Sequence, residues 1–350
     1  MKKHSFLFII AISILTGCTK DNVKPETPAI TPDDPTIESA YLLNEGNWGG
    51  NDASISLIDL TNHTVNNDFF AQQNGRNLGD VAQDMVLYGS KLYVTVYNSG
   101  ILEILNAGTG KSVKQIPLSG GPRFIACHEG KAYVTCYDKT VVRIDTASLE
   151  IDGTCGLTGM QPEGIAVSNG KLFVCNSWEY DATGNIVYDS TVAVIDIASF
   201  TLTRNLTVAQ NPQQMAVLQD GSIVVHYGND YNNPSGLAKI NPVTESVTPI
   251  ADSVSGFAVR DNDIYIYHYN YPNTNVYAIR AGSTAKCLVF ANNVIGYPYR
   301  LSINPSNGDI YLTDGVYGAT GDIYCYTSSG SLQWKLETGY YPSKMITGNF

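Results

Sequence analysis

The sequence predicts an all-β protein, a seven-bladed β-propeller of four-stranded antiparallel blades. Three observations carry that expectation. A strand recurs: "KLYVTVYNSG" begins at Lys91, "KAYVTCYDKT" at Lys131 and "KLFVCNSWEY" at Lys171, each forty residues after the last. The composition suits strands and turns, with 23 Tyr and 32 Gly against only 15% charged residues. Apolar and polar residues alternate through short runs bounded by turn residues, and no segment sustains a helical period. Four strands in a repeat of about 40 residues is the period of a propeller blade.

The chain opens with an address. Lys2 and Lys3 precede the apolar run "FLFIIAISIL", which is too short to span a bilayer stably, so residues 1–17 read as a cleaved signal peptide. "LTGC" at 15–18 resembles the bacterial lipobox, which implies cleavage before Cys18 and lipid attachment to its thiol. Residues 18–38 are rich in Pro, Thr and acidic side chains and form no core, so they are expected to be a flexible tether. Acidic residues soon after the lipidated Cys resemble the surface-export signal of Bacteroidetes lipoproteins. The expected location is the outer membrane, exposed at the cell surface, with the lipid as the only membrane anchor.

The propeller is expected over 39–350. Residues 41–70 supply "YLLNEGN", "ASISLIDL" and "HTVNNDFF", which match strands two to four of a blade and lack the first. Six full units follow. Their first strands read "DVAQDMVL", "PRFIAC", "PEGIAV", "PQQMAVL", "SGFAV" and "PYRLSI". Their second strands read "KLYVTVY", "KAYVTCY", "KLFVCNS", "SIVVHYG", "DIYIYHY" and "DIYLTDG", and a third strand such as "TVVRIDTA" or "TVAVIDIA" comes after each. The terminal "YYPSKMITGNF" matches a first strand and stops. Joined to the N-terminal three, it makes a composite seventh blade that closes the ring and removes the open edges.

Several function classes lack support. A net charge of −11 argues against nucleic acid, whose phosphates call for clustered Lys and Arg. There is no Gly-rich phosphate loop, no G-x-S-x-G elbow and no H-E-x-x-H, so no catalytic residue and no cofactor is expected. The cysteines after Cys18 are Cys127, Cys136, Cys155, Cys175, Cys287 and Cys325; an exported protein can pair them, and the sequence does not choose a pairing. None has zinc-ligand spacing. His226 and His268 end consecutive second strands and read as polar strand-end residues, while Asp314 and Asp322 flank "DGVYGATGD" with too few fixed oxygens for Ca²⁺. No metal site is expected.

The loops say more. Connections between strands two and three share one face with the connections between blades, and on that face they are long: "NEGNWGGND", "NSWEYDATGNIVYDS", "HYGNDYNNPSG", "HYNYPNT" and "TDGVYGATG". Connections on the other face, such as "HEGK" and "SNGK", are short. The long set, with the shorter "YNSG" and "YDK", supplies the expected ligand-binding residues: Trp48, Tyr97, Tyr137, Trp178, Tyr180, Tyr188, Tyr227, Asn229, Tyr231, Tyr269, Tyr271 and Tyr317. Tyr and Trp offer large contact area with few torsions to freeze, and Asn bonds in both directions. Tyr93, Tyr133 and Tyr265 lie within strands and are expected to pack blade against blade instead.

"YLLNEGNWGGNDASISLID", "LGDVAQDMV", "INPSNGDIYLTDG" and "TGYYPSKM" together resemble a family of Bacteroidetes surface propeller lipoproteins. That family includes surface-layer-like proteins of the YVTN type and the BtuG-type cobalamin-capture lipoproteins. The resemblance covers about 41–350. It implies a non-enzymatic, surface-displayed propeller seated over a TonB-dependent outer-membrane transporter, with a corrinoid such as cobalamin as ligand rather than cofactor. A glycan- or protein-binding adhesion module and a propeller enzyme, such as a lactonase or quinoprotein dehydrogenase, are the competing classes. No binding residues carry over from the family, since its members differ in the variable loops.

Overall fold

The computed structural model describes residues 38–228, 234–348 and 350. The signal segment, Cys18, the tether, Asn229 and Tyr231 lie outside the described residues.

Seven antiparallel sheets of four strands form a closed propeller. Blade 1 is composite: the C-terminal strand Pro342–Gly348 is its innermost member, followed outward by Ser39–Asn44, Ser54–Asp59 and Thr64–Asn66. Blades 2 to 7 each run from inner to outer strand in chain order, beginning at Ala82–Tyr88, Pro122–His128, Gln161–Ser168, Pro212–Val217, Gly256–Arg260 and Pro298–Ile303. The innermost strands of neighbouring blades touch one another and surround a central channel. The expected ring closure is present: Ser39 pairs with Gly348, Tyr41 with Ile346 and Leu42 with Met345.

The core lies between blades. Second strands are buried from their second residue onward, as in Lys91–Val96 and Lys131–Cys136, because both faces of each sheet are covered by the next blade. Tyr93, Tyr133 and Tyr265 are 0%, 2% and 3% exposed, and Tyr133 packs against Phe200 of the following blade at 5.8 Å. All six described cysteines are free thiols, four of them buried as small hydrophobes.

One element departs from the sequence reading. "HTVNNDFF" does not continue as a strand: pairing ends at Asn66, and Phe69–Asn74 forms a short helix. The Asn66 side chain accepts the Asp68 amide and turns the chain, and Phe69 and Phe70, both 1% exposed, are buried against blade 1 and blade 2 residues. Two adjacent buried rings suit one side of a helix turn, whereas a strand would send them to opposite faces.

Deleting residues 342–350 removes the inner strand of blade 1. The expected result is loss of the single cooperative thermal transition; a truncated chain melting at the wild-type temperature would refute closure as the source of cooperativity. Tyr133→Ala leaves a cavity between blades 3 and 4 and should cost about 3–5 kcal/mol in urea unfolding.

Candidate functional site

Five of the sequence-predicted residues come together in one arc on the face that carries the long loops. Trp48 lies on a loop fixed from both sides. Asp52 accepts the Asn47 amide at 2.6 Å, and Asp80 of the next blade accepts the Gly49 amide at 3.0 Å. Gly46 sits at φ 82°, where a side chain would lie 2.6 Å from the Ala53 nitrogen, so only glycine makes this turn. The loop holds the Trp48 ring outward, 69% exposed. Tyr97 and Tyr137 occupy the same place in blades 2 and 3, one residue past the second strand. Blade 4 has a longer hairpin, Lys171–Tyr180 with Ile186–Asp196, which raises Trp178 and Tyr180 above the face and sets Trp178 opposite Tyr188.

The rings follow one another across four blades. Centroid distances are 5.7 Å from Trp48 to Tyr97, 5.2 Å to Tyr137, 6.0 Å to Trp178 and 5.3 Å to Tyr180, with the last three contacts edge to face. Arg123 lies against the middle of the arc, its guanidinium 4.9 Å from the Tyr97 ring centre and 4.6 Å from that of Tyr137. Glu163 grips it with two bonds of 3.0 Å, and Gln83 accepts a third at 2.6 Å. The Tyr137 hydroxyl donates to the same Glu163. Burial, and next the Glu163 charge, push the Tyr137 phenol well above its usual range. Burial also opposes the Arg123 charge, but Glu163, with Tyr137 and Glu45, more than offsets it. The arc therefore rests on a neutralised, fully paired ion pair.

The other sequence-predicted residues are dispersed. Tyr227 lies over Gly236 of the paired strand, where a side chain would come within 2.4 Å of its hydroxyl. Tyr269 donates to the Gly296 carbonyl at 2.5 Å and ties blade 6 to the entry of blade 7. Tyr271 and Tyr317 stand at loop tips, 73% and 92% exposed.

The polar residues noted in the sequence are built into connections. His226 is 2% exposed and its Nε2 meets the Val254 carbonyl at 2.9 Å; His268 Nδ1 meets the Ser253 carbonyl at 2.8 Å. Both histidines thus hold the same link between blades 5 and 6. Asp314 accepts the amides of Gly296 and Tyr297, and Asp322 pairs with Lys335. Among the described residues no group of three or more His, Cys, Asp or Glu is placed to hold a metal ion.

Sequence reasoning missed a polar collar at the mouth of the channel. Each inner strand enters the ring at this face, and residues from its second to its fourth line the channel, which encloses about 510 Å³. The polar side chains there include Asp84, Gln214, Arg300 and Lys344, with Gln83 and Ser343 beside them. Lys344 donates to Asp84 at 2.7 Å. The Gln214 amide oxygen, turned toward Arg300, accepts from its guanidinium at 3.1 Å. Behind the collar, Glu45 accepts the Tyr299 hydroxyl at 2.6 Å; burial raises its pKa against the opposing Arg300 charge. A signal was present. Charges recur just after the inner-strand prolines, at Pro122-Arg123, Pro162-Glu163, Pro298-Tyr299-Arg300 and Pro342-Ser343-Lys344, in a chain otherwise sparing of charge.

Residues 38–346 match the family model described as a domain of unknown function, DUF5074. No curated protein matches the chain. Among solved structures, a quinoprotein alcohol dehydrogenase-like protein from Bacteroides thetaiotaomicron is similar at 16% identity, covering 89% of this chain and 78% of that one, with a TM-score of 0.68. A protein from Lactobacillus plantarum matches at 14%, 89% and 99%, with a TM-score of 0.64. A candidate 6-phosphogluconolactonase from Bacteroides uniformis matches at 11%, 89% and 100%, with a TM-score of 0.63. At these identities the likeness is one of fold and carries an activity neither to this chain nor away from it.

Burial lowers the His226 pKa from 6.5 to about 4, with Arg300 adding to the effect and the Val254 bond opposing it. A depressed histidine stays neutral when folded, so the unfolded chain binds more protons between these values. Stability from this group is complete above about pH 6.5 and falls as pH drops toward 4. Urea unfolding should therefore lose about 2 kcal/mol more in wild type than in His226→Gln between roughly pH 7.5 and 5. Comparing the two proteins cancels the opposite contribution of Glu45. Equal pH slopes would show that His226 is not buried neutral.

Proposed function

The chain belongs to this family of propellers of unknown function, and from that premise we propose that it is a surface-displayed binding protein that captures a corrinoid on its aromatic arc. The arc is the observation that carries this reading. A corrinoid is a wide, mostly uncharged disc rimmed by methyls and amides. It calls for aromatic surface spread over several blades and for little net charge. Trp48, Tyr97, Tyr137, Trp178 and Tyr180 supply the surface, and the Arg123–Glu163 pair beneath it is internally neutralised. A lipid on Cys18, followed by the tether, would hold such a protein at the outer membrane within reach of a TonB-dependent transporter. Among the described residues the only hydroxyl–carboxylate pair in the arc, Tyr137 with Glu163, is locked under the rings by Arg123, so the arc supports binding better than catalysis.

The test is a titration with cyanocobalamin followed by its visible absorption. Binding is expected to change little over a roughly tenfold rise in salt, because few counterions are displaced. Trp48→Ala and Tyr180→Ala should each weaken it by about 1–3 kcal/mol, roughly fivefold to 150-fold, with an unchanged melting temperature. The exposure of Trp48 and Tyr180 also suits stacking on sugar rings, so a glycan array is the second arm. Glycan binding that is lost in Trp48→Ala, with no spectral response to cyanocobalamin, would replace the corrinoid by a saccharide.

A further inference from the structure

Two arginines stand at the channel mouth, and they differ in one respect. Arg123 has its bidentate carboxylate partner in Glu163 and a further acceptor in Gln83. Arg300 has none among the described residues: its hydrogen-bond acceptor is the neutral amide of Gln214, and the nearest Glu45 oxygen is 3.9 Å away, beyond hydrogen-bonding distance. That carboxylate gives its other oxygen to Tyr299. Lys344, on the adjacent blade, lines the same channel and is only half covered, its side chain 43% exposed. Its ammonium has three donors and uses one, toward Asp84. Asp84 in turn accepts from the Met85 amide at 2.9 Å, the Ile125 amide at 3.0 Å and Lys344. One Glu45 oxygen keeps no hydrogen bond, while the Arg300 guanidinium and the Lys344 ammonium hold the collar's spare donors. The Arg300 charge is felt at a distance too, since it helps hold His226 neutral.

We propose that the collar is an anion subsite, in which Arg300 and Lys344 take one carboxylate or phosphate group of a small ligand entering the channel from the arc face. A planar guanidinium offers paired N–H groups to either oxyanion, and the ammonium of the next blade adds a point charge. The narrow channel limits solvent around the pair and strengthens it relative to an exposed one. The channel, at about 510 Å³, falls within the size of ordinary small-molecule sites. After burial, which opposes its charge, the groups that act on Arg300 are Tyr299, Glu45, Tyr267 and Asp84; Lys344 lines the same channel and His226 responds to the Arg300 charge. Glu45 and Asp84 carry the carboxylates among them; Asp84 is bonded by protein donors, and the Glu45 oxygen that accepts no hydrogen bond stays 3.9 Å from the guanidinium. The proposal stands apart from the corrinoid reading, because it uses no residue of the arc.

The probes are benzoate, phenyl phosphate and benzyl alcohol, alike in ring and different in head group, followed by ligand-observed NMR and titration calorimetry on the full mature chain. At least one of the two anions is expected to bind, benzyl alcohol to bind at least about tenfold more weakly, and added salt to weaken the anion. Whichever anion binds more tightly identifies the group the collar prefers. Lys344→Gln should reduce anion affinity about fivefold or more, and Arg300→Gln more strongly. Arg300 is packed between blades, so its variant counts only if it melts cooperatively; Lys344→Gln, at the open rim, carries the test otherwise. Trp48→Ala should leave anion binding unchanged. Absence of binding by both anions, equal binding of the alcohol, or an anion affinity indifferent to Lys344→Gln would each overturn the subsite.

Discussion

The pairing of Ser39–Asn44 with Pro342–Gly348 is the constraint on which the rest of the molecule depends. It joins strands some three hundred residues apart, so its loop-closure entropy is large and the whole ring must form before it is rewarded. What it gains is the junction between blades 7 and 1. Ala40, Leu42 and Ile58 pack there with Tyr311, Ile323, Cys325 and Met345. Tyr41 packs against Phe350, ring centres 4.4 Å apart and tilted by 31°. The "NEGN" phrase lies on this seam: the Glu45 and Gly46 amides bond to the carbonyls of Tyr341 and Tyr340, and the Glu45 carbonyl accepts the Ala82 amide of blade 2. Closure is thus also what puts Trp48, Arg300 and Lys344, from opposite ends of the chain, around one mouth.

The buried ions at that mouth are poorly explained by stability. An ion pair taken out of water roughly breaks even at best, and well-packed apolar residues would do as well. Arg123 and Glu163 are each nearly buried, in a chain with few charges to place. Their geometry gives a different return. Arg123 fixes two rings from below and Glu163 fixes the Tyr137 hydroxyl, so the centre of the arc is set before any ligand arrives. Preorganisation of this kind lowers the ordering cost of binding, which supports a binding role for the arc over simple packing.

The repeat made the architecture legible because a propeller blade is local: four consecutive strands, with turns marking each boundary. The composite blade was legible because the missing first strand at one end matched the surplus strand at the other. The short helix at Phe69 was not, since two adjacent aromatics after a turn look the same in a strand alphabet as in a helix turn. Loop position alone could not sort the tyrosines either. Tyr97 and Tyr227 follow comparable second strands, but Tyr227 faces Gly236, whose missing side chain leaves room for the ring to fold down. Tyr97 instead opens a tight turn whose Gly100 amide bonds back to its carbonyl, and its ring meets Trp48 and Tyr137.

The collar was harder to see for a geometric reason. Its members lie one to a blade, far apart in the sequence, and only the axis of the ring brings them together. Periodicity read along the chain reports what is conserved in role from blade to blade, namely strands and turns. A channel site is built from what differs at one repeated slot: aspartate in blade 2, glutamine in blade 5, arginine in blade 7, lysine in blade 1. Reading such a fold for function therefore means aligning the blades and looking down a single column for residues that break the pattern. In this chain the column two residues into the inner strand holds the guanidinium of Arg300, which has no carboxylate within hydrogen-bonding distance, and the rings of the aromatic arc above it carry no charge. The two features ask different things of a ligand, flat uncharged surface in one case and a single oxyanion in the other.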